Sequence, residues 1–339
     1  MEMWKSVVIG LGKIGLMYEM DPHRSTPSSH SMAYHMNHQT SLVGAADFDV
    51  NKKYILQKVA SEAIFFSDMK SCIKDCDPDI VSVCTPQGCH LENIQMILEI
   101  GNPKVIFCEK PLVSSLREAE DLIGILRQHP ECILIPNISR RWCPGMRRIT
   151  DFIKSESYGR LEKIHIRYTR GIYNTGSHLF DLLCMWSHQQ INLVQVLRKV
   201  HTTSDFEQEP SYSFYFEQTD DVYGYAEAIN DENYYMFEID LYFTSGKLEV
   251  RNSGDDVFYY RTGEHHLFSG YRELICEKEE HNLLKESCLS LAVENIVDIL
   301  CGKDIPFCTF NDALYPMYVA EALELSYKEK RKEKIIWRN

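Results

Sequence analysis

The sequence predicts an α/β protein in which a parallel-sheet domain is followed by an α+β domain with a large open mixed or antiparallel sheet. Short apolar strands alternate with helical patterns in the first part of the chain, and a glycine-rich turn follows the first strand. Longer strands rich in tyrosine and phenylalanine occupy the second half. The 339 residues are enough for about two domains, which we place at residues 1–125 and 126–339.

The first domain consists of repeated units of strand, turn and helix. Four short, β-branched segments are predicted to be buried strands, at residues 6–9, 42–46, 79–84 and 104–108. One helix is predicted at 91–100 because Gly101 follows as a stop, and another begins at the capping box 115–118 and runs to residue 127. This alternation predicts a parallel sheet with right-handed crossovers.

The second domain is predicted to begin with strands and end with helices. Alternating apolar residues predict strands at 164–168, 212–216, 234–243 and 247–251. Helical patterns return at 283–301 and 312–327, where Pro316 is expected to kink or delay the last helix. We consider packing of that last helix back on the first domain an open alternative. The aromatic strands have more apolar area than a sheet solvated on one face needs, which predicts a homo-oligomer, a dimer or tetramer.

Composition excludes several classes of function. The chain has 36 Lys and Arg against 49 Asp and Glu, a formal net charge of −13, which disfavours binding to nucleic acid. We expect no membrane association, because no uninterrupted apolar run approaches the roughly 20 residues of a membrane span. Twelve scattered cysteines without a CxxC pair, and an N-terminus without a long apolar stretch, predict free thiols in the cytoplasm.

The glycine turn has the G-x-G-x-x-G spacing of a dinucleotide-binding turn, at the start of a strand–turn–helix unit. The first glycine allows a tight bend, the second lets backbone N–H groups approach a pyrophosphate, and the third allows close helix–strand packing. The helix N-terminus then faces the negative charge. We therefore predict a Rossmann dinucleotide-binding domain whose cofactor-binding turn comprises Gly10, Leu11, Gly12, Lys13, Ile14 and Gly15.

Asp47 ends the second strand and is the candidate partner of the adenosine ribose. Its carboxylate would accept from the 2′-hydroxyl and repel a 2′-phosphate, which favours NAD over NADP. Asp47 lies farther from Gly15 than the roughly 20 residues usual for this acid. The excess is the polar segment 18–29, which is predicted to be a loop inserted beside the cofactor phosphates. Asp49 is the alternative ribose ligand.

Four histidines lie close together in the sequence, at positions 23, 30, 35 and 38. A metal site would need converging ligands, and no cysteine or acidic pair has matching spacing. We expect no metal here, and we expect His35 and His38 to lie along a helix surface.

Three further motifs point to a family. Cys84-Thr85-Pro86 is followed by His90, Cys108 is followed by Glu109-Lys110-Pro111, and Asn174-Thr-Gly-Ser-His178-Leu-Phe-Asp181 opens a helix in the second half. Together with the glycine turn, these motifs resemble the Gfo/Idh/MocA oxidoreductases, the family of glucose–fructose oxidoreductase and inositol dehydrogenase. The resemblance extends from Val7 to about Tyr327 and includes a Rossmann domain followed by a domain with a large open sheet.

The resemblance implies a cofactor site beyond the glycine turn. Thr85, Pro86 and His90 match the family segment that lines the cofactor past the pyrophosphate. Glu109 and Lys110 match the pair beside the nicotinamide ribose, where the lysine also reaches the substrate hydroxyl.

The resemblance also implies a reaction. The family transfers a hydride between NAD(P) and a secondary hydroxyl or keto group of a sugar, a cyclitol or a nucleotide-linked sugar. His178 matches the histidine that exchanges a proton with the reacting hydroxyl, and Asp181 is expected to orient its helix or touch substrate. A histidine suits proton exchange near neutral pH, and a nearby ammonium such as Lys110 stabilises a developing alkoxide.

Asn174 departs from the family pattern, in which many members have aspartate at this position. The amide can orient His178 but adds no charge, so Tyr173 is a possible substitute donor. Arg141 and Arg170 are candidates for binding an anionic substrate, with surface or interdomain ion pairs as the alternative.

A second function class remains open. The same fold could serve as a non-catalytic dinucleotide-binding sensor or regulator, and Asn174 is the best support for it. Glu109, Lys110 and His178 favour the enzyme, because a binding module needs no lysine and histidine at the nicotinamide.

Overall fold

The computed structural model describes residues 3–201, 209–219 and 221–337. The chain divides into two compact units. The first comprises Met1–Trp142 with Glu286–Leu314, and the second comprises Cys143–Lys285 with Tyr315–Asn339. One unit holds a six-stranded parallel sheet and the other a nine-stranded mixed sheet. The predicted fold class is confirmed.

The first unit has the strand order of a Rossmann fold, β3-β2-β1-β4-β5-β6, with every pair parallel. Its strands are β1 (Trp4–Ile9), β2 (Thr40–Ala46), β3 (Ile64–Phe66), β4 (Ile80–Val83), β5 (Val105–Glu109) and β6 (Ile133–Asn137). The helices among them are α1 (His30–Met36), α2 (Lys52–Val59), α3 (Met69–Cys76), α4 (His90–Ile100) and α5 (Leu116–Leu126). The capping box is confirmed at its Ser115 end, where the side chain accepts from the N–H of Glu118.

The helix that normally follows the glycine turn is interrupted. After one helical turn the chain leaves, and segment 19–29 returns it to the same axis at His30. There the N–H groups of His30 and Ser31 donate to the carbonyls of Ile14 and Gly15, at 3.0 and 3.1 Å. Helix α1 thus continues on the carbonyls that the first turn leaves exposed. This excursion accounts for the long spacing to Asp47.

The second unit contains the nine-stranded sheet, ordered β14-β13-β12-β11-β7-β10-β9-β8-β15. The pair β7–β10 is parallel and the other described pairs are antiparallel. The strands are β7 (Leu161–Tyr168), β8 (Leu193–Val200), β9 (Ser211–Glu217), β10 (Tyr223–Ala228), β11 (Phe237–Phe243), β12 (Gly246–Arg251), β13 (Asp256–Glu264), β14 (Arg272–Glu280) and β15 (Glu333–Lys334). The remaining helices of the chain are α6 (Pro144–Lys154), α7 (Gly176–Ser187), α8 (Cys288–Leu300) and α9 (Phe310–Glu329).

Several predicted boundaries differ from the structure. The first unit continues past residue 125 because β6 pairs with β5, and it also takes in α8. Helix α8 begins at Cys288 rather than 283, because the Ser287 side chain accepts from the Ser290 N–H and caps it. Helix α9 begins at Phe310 and contains Pro316 without ending there; its residues up to Leu314 belong to the first unit. Strand β11 starts at Phe237 rather than 234.

The two faces of the nine-stranded sheet differ in composition. Phe214 is buried on the inner face, where its ring lies 6.1 Å from that of Phe180 on α7. The outer face carries both tyrosine and charge: Tyr225 is exposed there, and the carboxylate of Asp240 lies 3.2 Å from the guanidinium group of Arg167. Helix α7 therefore covers aromatic area on the inner face, whereas an aromatic side chain of the outer face stays exposed. In the described part of the chain, every helix is too short or too polar to span a membrane.

Candidate functional site

The glycine turn opens onto a groove at the carboxyl edge of the parallel sheet. A cavity of about 820 Å³ lies there, where α/β proteins commonly bind nucleotides. The structure brings most of the predicted cofactor residues into its wall: Gly10, Gly12, Lys13, Ile14, Asp47, Thr85 and Pro86. Tyr18, from the start of the inserted segment, also lines the cavity and was not predicted.

The three glycines have different physical roles. Gly10 has a φ of +91°, and a Cβ there would lie 2.8 Å from the backbone of Thr85. A Cβ on Gly15 would lie 2.0 Å from the carbonyl oxygen of Gly10, so this position packs the turn on itself. A Cβ on Gly12 meets no atom within 4 Å. Gly12 is therefore available for the approach of a ligand, whereas Gly10 and Gly15 maintain the turn.

Asp47 is fixed against the turn by its own carboxylate. One oxygen accepts from the N–H of Leu11 at 2.7 Å, and the other accepts from the N–H of Asp49 at 2.9 Å. Leu11 itself is fully buried, so it contributes its backbone rather than its side chain. The Asp49 carboxylate is engaged by Asn51, which donates from both its backbone and its side chain. Both carboxylates line the groove, and that of Asp47 is the one hydrogen-bonded to the glycine turn.

His90 lies behind the groove rather than in its wall. The side chain is buried, with Nε2 2.8 Å from the carbonyl oxygen of Thr85 and Nδ1 3.0 Å from that of Pro111. It thus connects the loop after β4 to the loop after β5. These contacts favour a structural role for His90, and the expectation that it lines the cofactor stays a prediction.

Glu109 ends β5 and is the centre of a polar cluster that the sequence did not predict. Its Oε1 lies 2.8 Å from Nε2 of His30 and accepts from the Asn137 amide at 2.6 Å. Its Oε2 accepts from the backbone N–H of Lys110 at 3.3 Å. Burial opposes ionisation of this carboxyl, but the hydrogen bonds from His30 and Asn137 and the Lys110 charge hold its pKa below the usual range.

The polar cluster extends into the interior. His30 Nδ1 lies 2.9 Å from Oγ of Ser82, and that hydroxyl lies 2.8 Å from the hydroxyl of Tyr34. The other histidines of the predicted group, at positions 23, 35 and 38, are exposed. His35 lies on α1 as predicted, but His38 lies beyond the end of that helix. Ser29 is the sequence signal that could have indicated the position of His30. It caps α1, so His30 is the first residue of that helix.

The remaining predicted residues lie in the second unit, on the segment that leads into α7. A turn of π-helix, Gly171–Thr175, holds Tyr173 and Asn174, and α7 then carries His178 in its first turn. The N–H of Asn174 donates to the carboxylate of Glu209, and its carbonyl accepts from the Ser177 hydroxyl at 2.8 Å. Arg170 precedes the turn with a φ of +66°.

Two side chains near His178 have defined surroundings. Asp181 is fully buried within α7, so its position favours orienting the helix over touching substrate. Burial and the carboxylate of Glu324 hold the pKa of Tyr173 well above its usual range, so its phenol stays protonated. The phenol has one O–H to donate, and the Glu324 carboxylate is its hydrogen-bond partner. The sequence did not indicate Glu324 or Glu209 as neighbours of this segment.

Arg141 does not have the surroundings of a substrate ligand. Its side chain is buried in the first unit, where it donates to the carbonyl of Phe307 at 3.1 Å and pairs with Asp312 at 2.9 Å. These contacts favour the ion-pair alternative for Arg141, and substrate binding by this residue stays a prediction.

The fold and the groove define a dinucleotide-binding protein. Residues 4–136 match the model of the Gfo/Idh/MocA family, described as "Oxidoreductase family, NAD-binding Rossmann fold". The uncharacterized oxidoreductase YrbE of Bacillus subtilis is 31% identical over 94 residues, which are 27% of this chain. That match spans only about a quarter, 26%, of the length of the relative.

Two solved structures resemble the whole chain in fold. The WlbA dehydrogenase of Chromobacterium violaceum, in complex with NADH and UDP-GlcNAcA, has a TM-score of 0.80 at 13% identity and covers 100% of this chain and 98% of its own. The transcriptional regulator Gal80p of Kluyveromyces lactis has a TM-score of 0.78 at 17% identity, covering 98% and 94%. At these identities the likeness concerns the fold alone.

The different roles of Gly12 and Gly15 can be tested by adding one methyl group to each. Gly12→Ala should leave the thermal midpoint unchanged but weaken NADH binding by about tenfold or more, because a pyrophosphate must approach that position. Gly15→Ala should weaken binding and also lower stability by about 1–3 kcal/mol, the range for overpacking. Fluorescence titration and thermal unfolding measure both. Equal losses of stability in the two variants would contradict this assignment.

Proposed function

We propose that this protein is an NAD-dependent oxidoreductase that interconverts a secondary hydroxyl and a keto group. The observation that carries the proposal is the pair Glu109–Lys110, held at the end of β5 by the buried contacts of Glu109 with His30 and Asn137. A protein that merely senses a dinucleotide has no need to fix a lysine at this point by a buried carboxylate.

The proposed substrate class is a sugar, a cyclitol or a nucleotide-linked sugar. The solved WlbA dehydrogenase of the same fold holds NADH and UDP-GlcNAcA, which is consistent with the last of these. Arg170 is the remaining basic candidate for an anionic substituent, since Arg141 is engaged within the first unit.

A nicotinamide cofactor held by the groove would supply the hydride chemistry of the proposed reaction. In the oxidation direction, the ammonium of Lys110 stabilises the developing alkoxide, and His178 accepts the proton that leaves the hydroxyl oxygen. Asn174 orients His178 without adding charge. Tyr173 in the same segment would be the substitute donor by exchanging its contact with Glu324 for one with substrate. In the reduction direction, His178 returns the proton to the carbonyl oxygen.

A non-catalytic sensor is the second candidate. The fold likeness to the transcriptional regulator Gal80p and the neutral Asn174 favour it. The two candidates differ in one measurable respect: the sensor binds dinucleotide without turning over any substrate.

Replacing the proposed proton-handling residues should abolish turnover while sparing cofactor binding. Lys110→Met and His178→Asn should each lower kcat by about 10²- to 10⁴-fold, as expected for loss of an acid–base group. NADH affinity should stay within about tenfold, or 1.4 kcal/mol. Lys104→Met, an exposed lysine just before β5, is the matched control and should retain full activity.

Asn174→Asp extends the same test. If Asn174 orients His178, an added carboxylate stabilises the imidazolium, so the pH optimum should move upwards while activity persists. Near-wild-type turnover in both Lys110→Met and His178→Asn on an identified substrate would contradict the active-site assignment.

Asp47 should set the cofactor preference. Its carboxylate repels a 2′-phosphate, so NADH should bind at least about tenfold more tightly than NADPH. Asp47→Ser should narrow that ratio, whereas Asp49→Ser, the matched comparison, should narrow it less, because the Asp47 carboxylate is the one hydrogen-bonded to the glycine turn. Fluorescence titration gives the dissociation constants of NADH and NADPH. Tighter binding of NADPH by the wild type would contradict the proposed preference for NAD.

We further propose that the protein is a homo-oligomer, a dimer or tetramer. We also propose that it functions in a reducing cytoplasm. All twelve cysteines lie in the described part of the chain and are free thiols, which is typical of that compartment. The outer face of the nine-stranded sheet exposes Tyr225 beside ion pairs, a mixture common at polar subunit interfaces. Light scattering at micromolar concentration should give two or four times 39.5 kDa; a mass of one chain would refute the oligomer.

A further inference from the structure

A buried chain of polar groups reaches Lys110 from the interior of the first unit. It runs from Tyr34 through Ser82 and His30 to Glu109. We propose that His30 is a positioning residue for the oxidoreductase reaction: its Nε2–H holds the Glu109 carboxylate in the orientation that fixes the backbone of Lys110. The inference rests on the proposed function and adds a residue to its machinery.

The direction of the hydrogen bonds follows from which groups can donate. An ionised carboxylate only accepts, so the His30 nitrogen 2.8 Å from Glu109 must carry a proton. Burial raises the pKa of Tyr34, so its hydroxyl is protonated and can donate to Ser82. The Ser82 proton is then available to Nδ1 of His30. In this arrangement each of the three hydrogen bonds that join Tyr34, Ser82, His30 and Glu109 has one donor and one acceptor.

The order Ser82–His30–Glu109 is that of a nucleophilic triad, but the burial of these groups excludes that role. Ser82 is within β4 and has no exposed surface, so a substrate cannot reach its hydroxyl. The chain ends at Tyr34, which is also fully buried, so it offers no route for protons to solvent. Holding Glu109 in place is the function that these contacts can perform.

The arrangement of acceptors on Glu109 links His30 to the catalytic lysine. His30 and Asn137 both donate to Oε1, which leaves Oε2 directed at the backbone N–H of Lys110. Loss of the His30 contact would leave a buried carboxylate with fewer partners, and the carboxylate would turn or take up a proton. Either change would move the main chain that carries Lys110. Helix α1 begins where its first N–H groups donate to the carbonyls of Ile14 and Gly15. This start places His30 beside Glu109.

The test compares two substitutions of His30. His30→Leu removes the donor and should lower kcat by about 10- to 100-fold, the usual effect of a small misplacement of a catalytic group, while NADH affinity changes little. His30→Gln keeps an N–H that can reach Glu109 and should restore most of the turnover. His35→Leu, an exposed histidine on the same helix, is the control and should behave as the wild type.

A double-mutant cycle separates positioning from general stability. If His30 acts through Glu109, then His30→Leu should cause no further loss of kcat in a Glu109→Gln background. Thermal midpoints identify variants that do not fold; should His30→Leu be one, Ser82→Ala replaces it, with a smaller expected loss of kcat. Full turnover in His30→Leu, no rescue by His30→Gln, or additive losses in the cycle would overturn the proposal.

A measurement that does not depend on catalytic turnover distinguishes failure of this inference from failure of the proposed function. In wild-type protein, proton NMR should show a slowly exchanging ring N–H from His30, absent in His30→Gln and shifted in Glu109→Gln. If no substrate is turned over but this signal behaves as stated, the oxidoreductase proposal fails while the His30–Glu109 contact stands. If the signal is missing or does not respond to Glu109→Gln, the positioning role is wrong whatever the activity.

Discussion

The largely buried carboxylate of Glu109, whose side chain is 14% exposed, is the constraint on which the polar cluster of the first unit depends. Removing a charge from water is costly unless hydrogen bonds and opposite charge compensate for it. Here the compensation comes from separate elements: His30 on α1, Asn137 on β6 and the N–H of Lys110 after β5. The same requirement that stabilises the carboxylate therefore fixes how these elements meet at the carboxyl edge of the sheet, where the groove lies.

The interrupted helix shows how an insertion can be accommodated without losing this arrangement. The turn at Gly10–Gly15 needs close packing, because a Cβ on Gly15 would collide with the carbonyl of Gly10. Segment 19–29 leaves after that turn is complete and returns where the main-chain hydrogen bonds of the helix can resume. Tyr18, just before the segment, lines the groove, and the segment leaves His30 at the start of α1, facing Glu109.

Local chemistry explains which features the sequence could predict. The glycine turn, the Ser115 cap and the short apolar strands depend on neighbours within a few residues, and each lies where its pattern indicated. The partners of Glu109 and the orientation of His90 depend on contacts between residues far apart in the sequence, which one sequence does not specify. Arg141 shows the same limit. The sequence around it is the same whether the guanidinium binds substrate or pairs with Asp312 in the interior. The boundary at 125 was too early because β6 is recognisable only through its pairing with β5.

We propose that the groove of the first unit holds a nicotinamide cofactor for redox chemistry at Lys110. The most direct measurement follows the absorbance band of reduced nicotinamide when the purified protein and NAD⁺ meet a panel of sugars, cyclitols and nucleotide-linked sugars. Growth of that band with at least one substrate, dependent on Lys110, is the predicted result. Tight binding of NAD(H) with no change in the band across the whole panel would contradict an oxidoreductase and support the sensor.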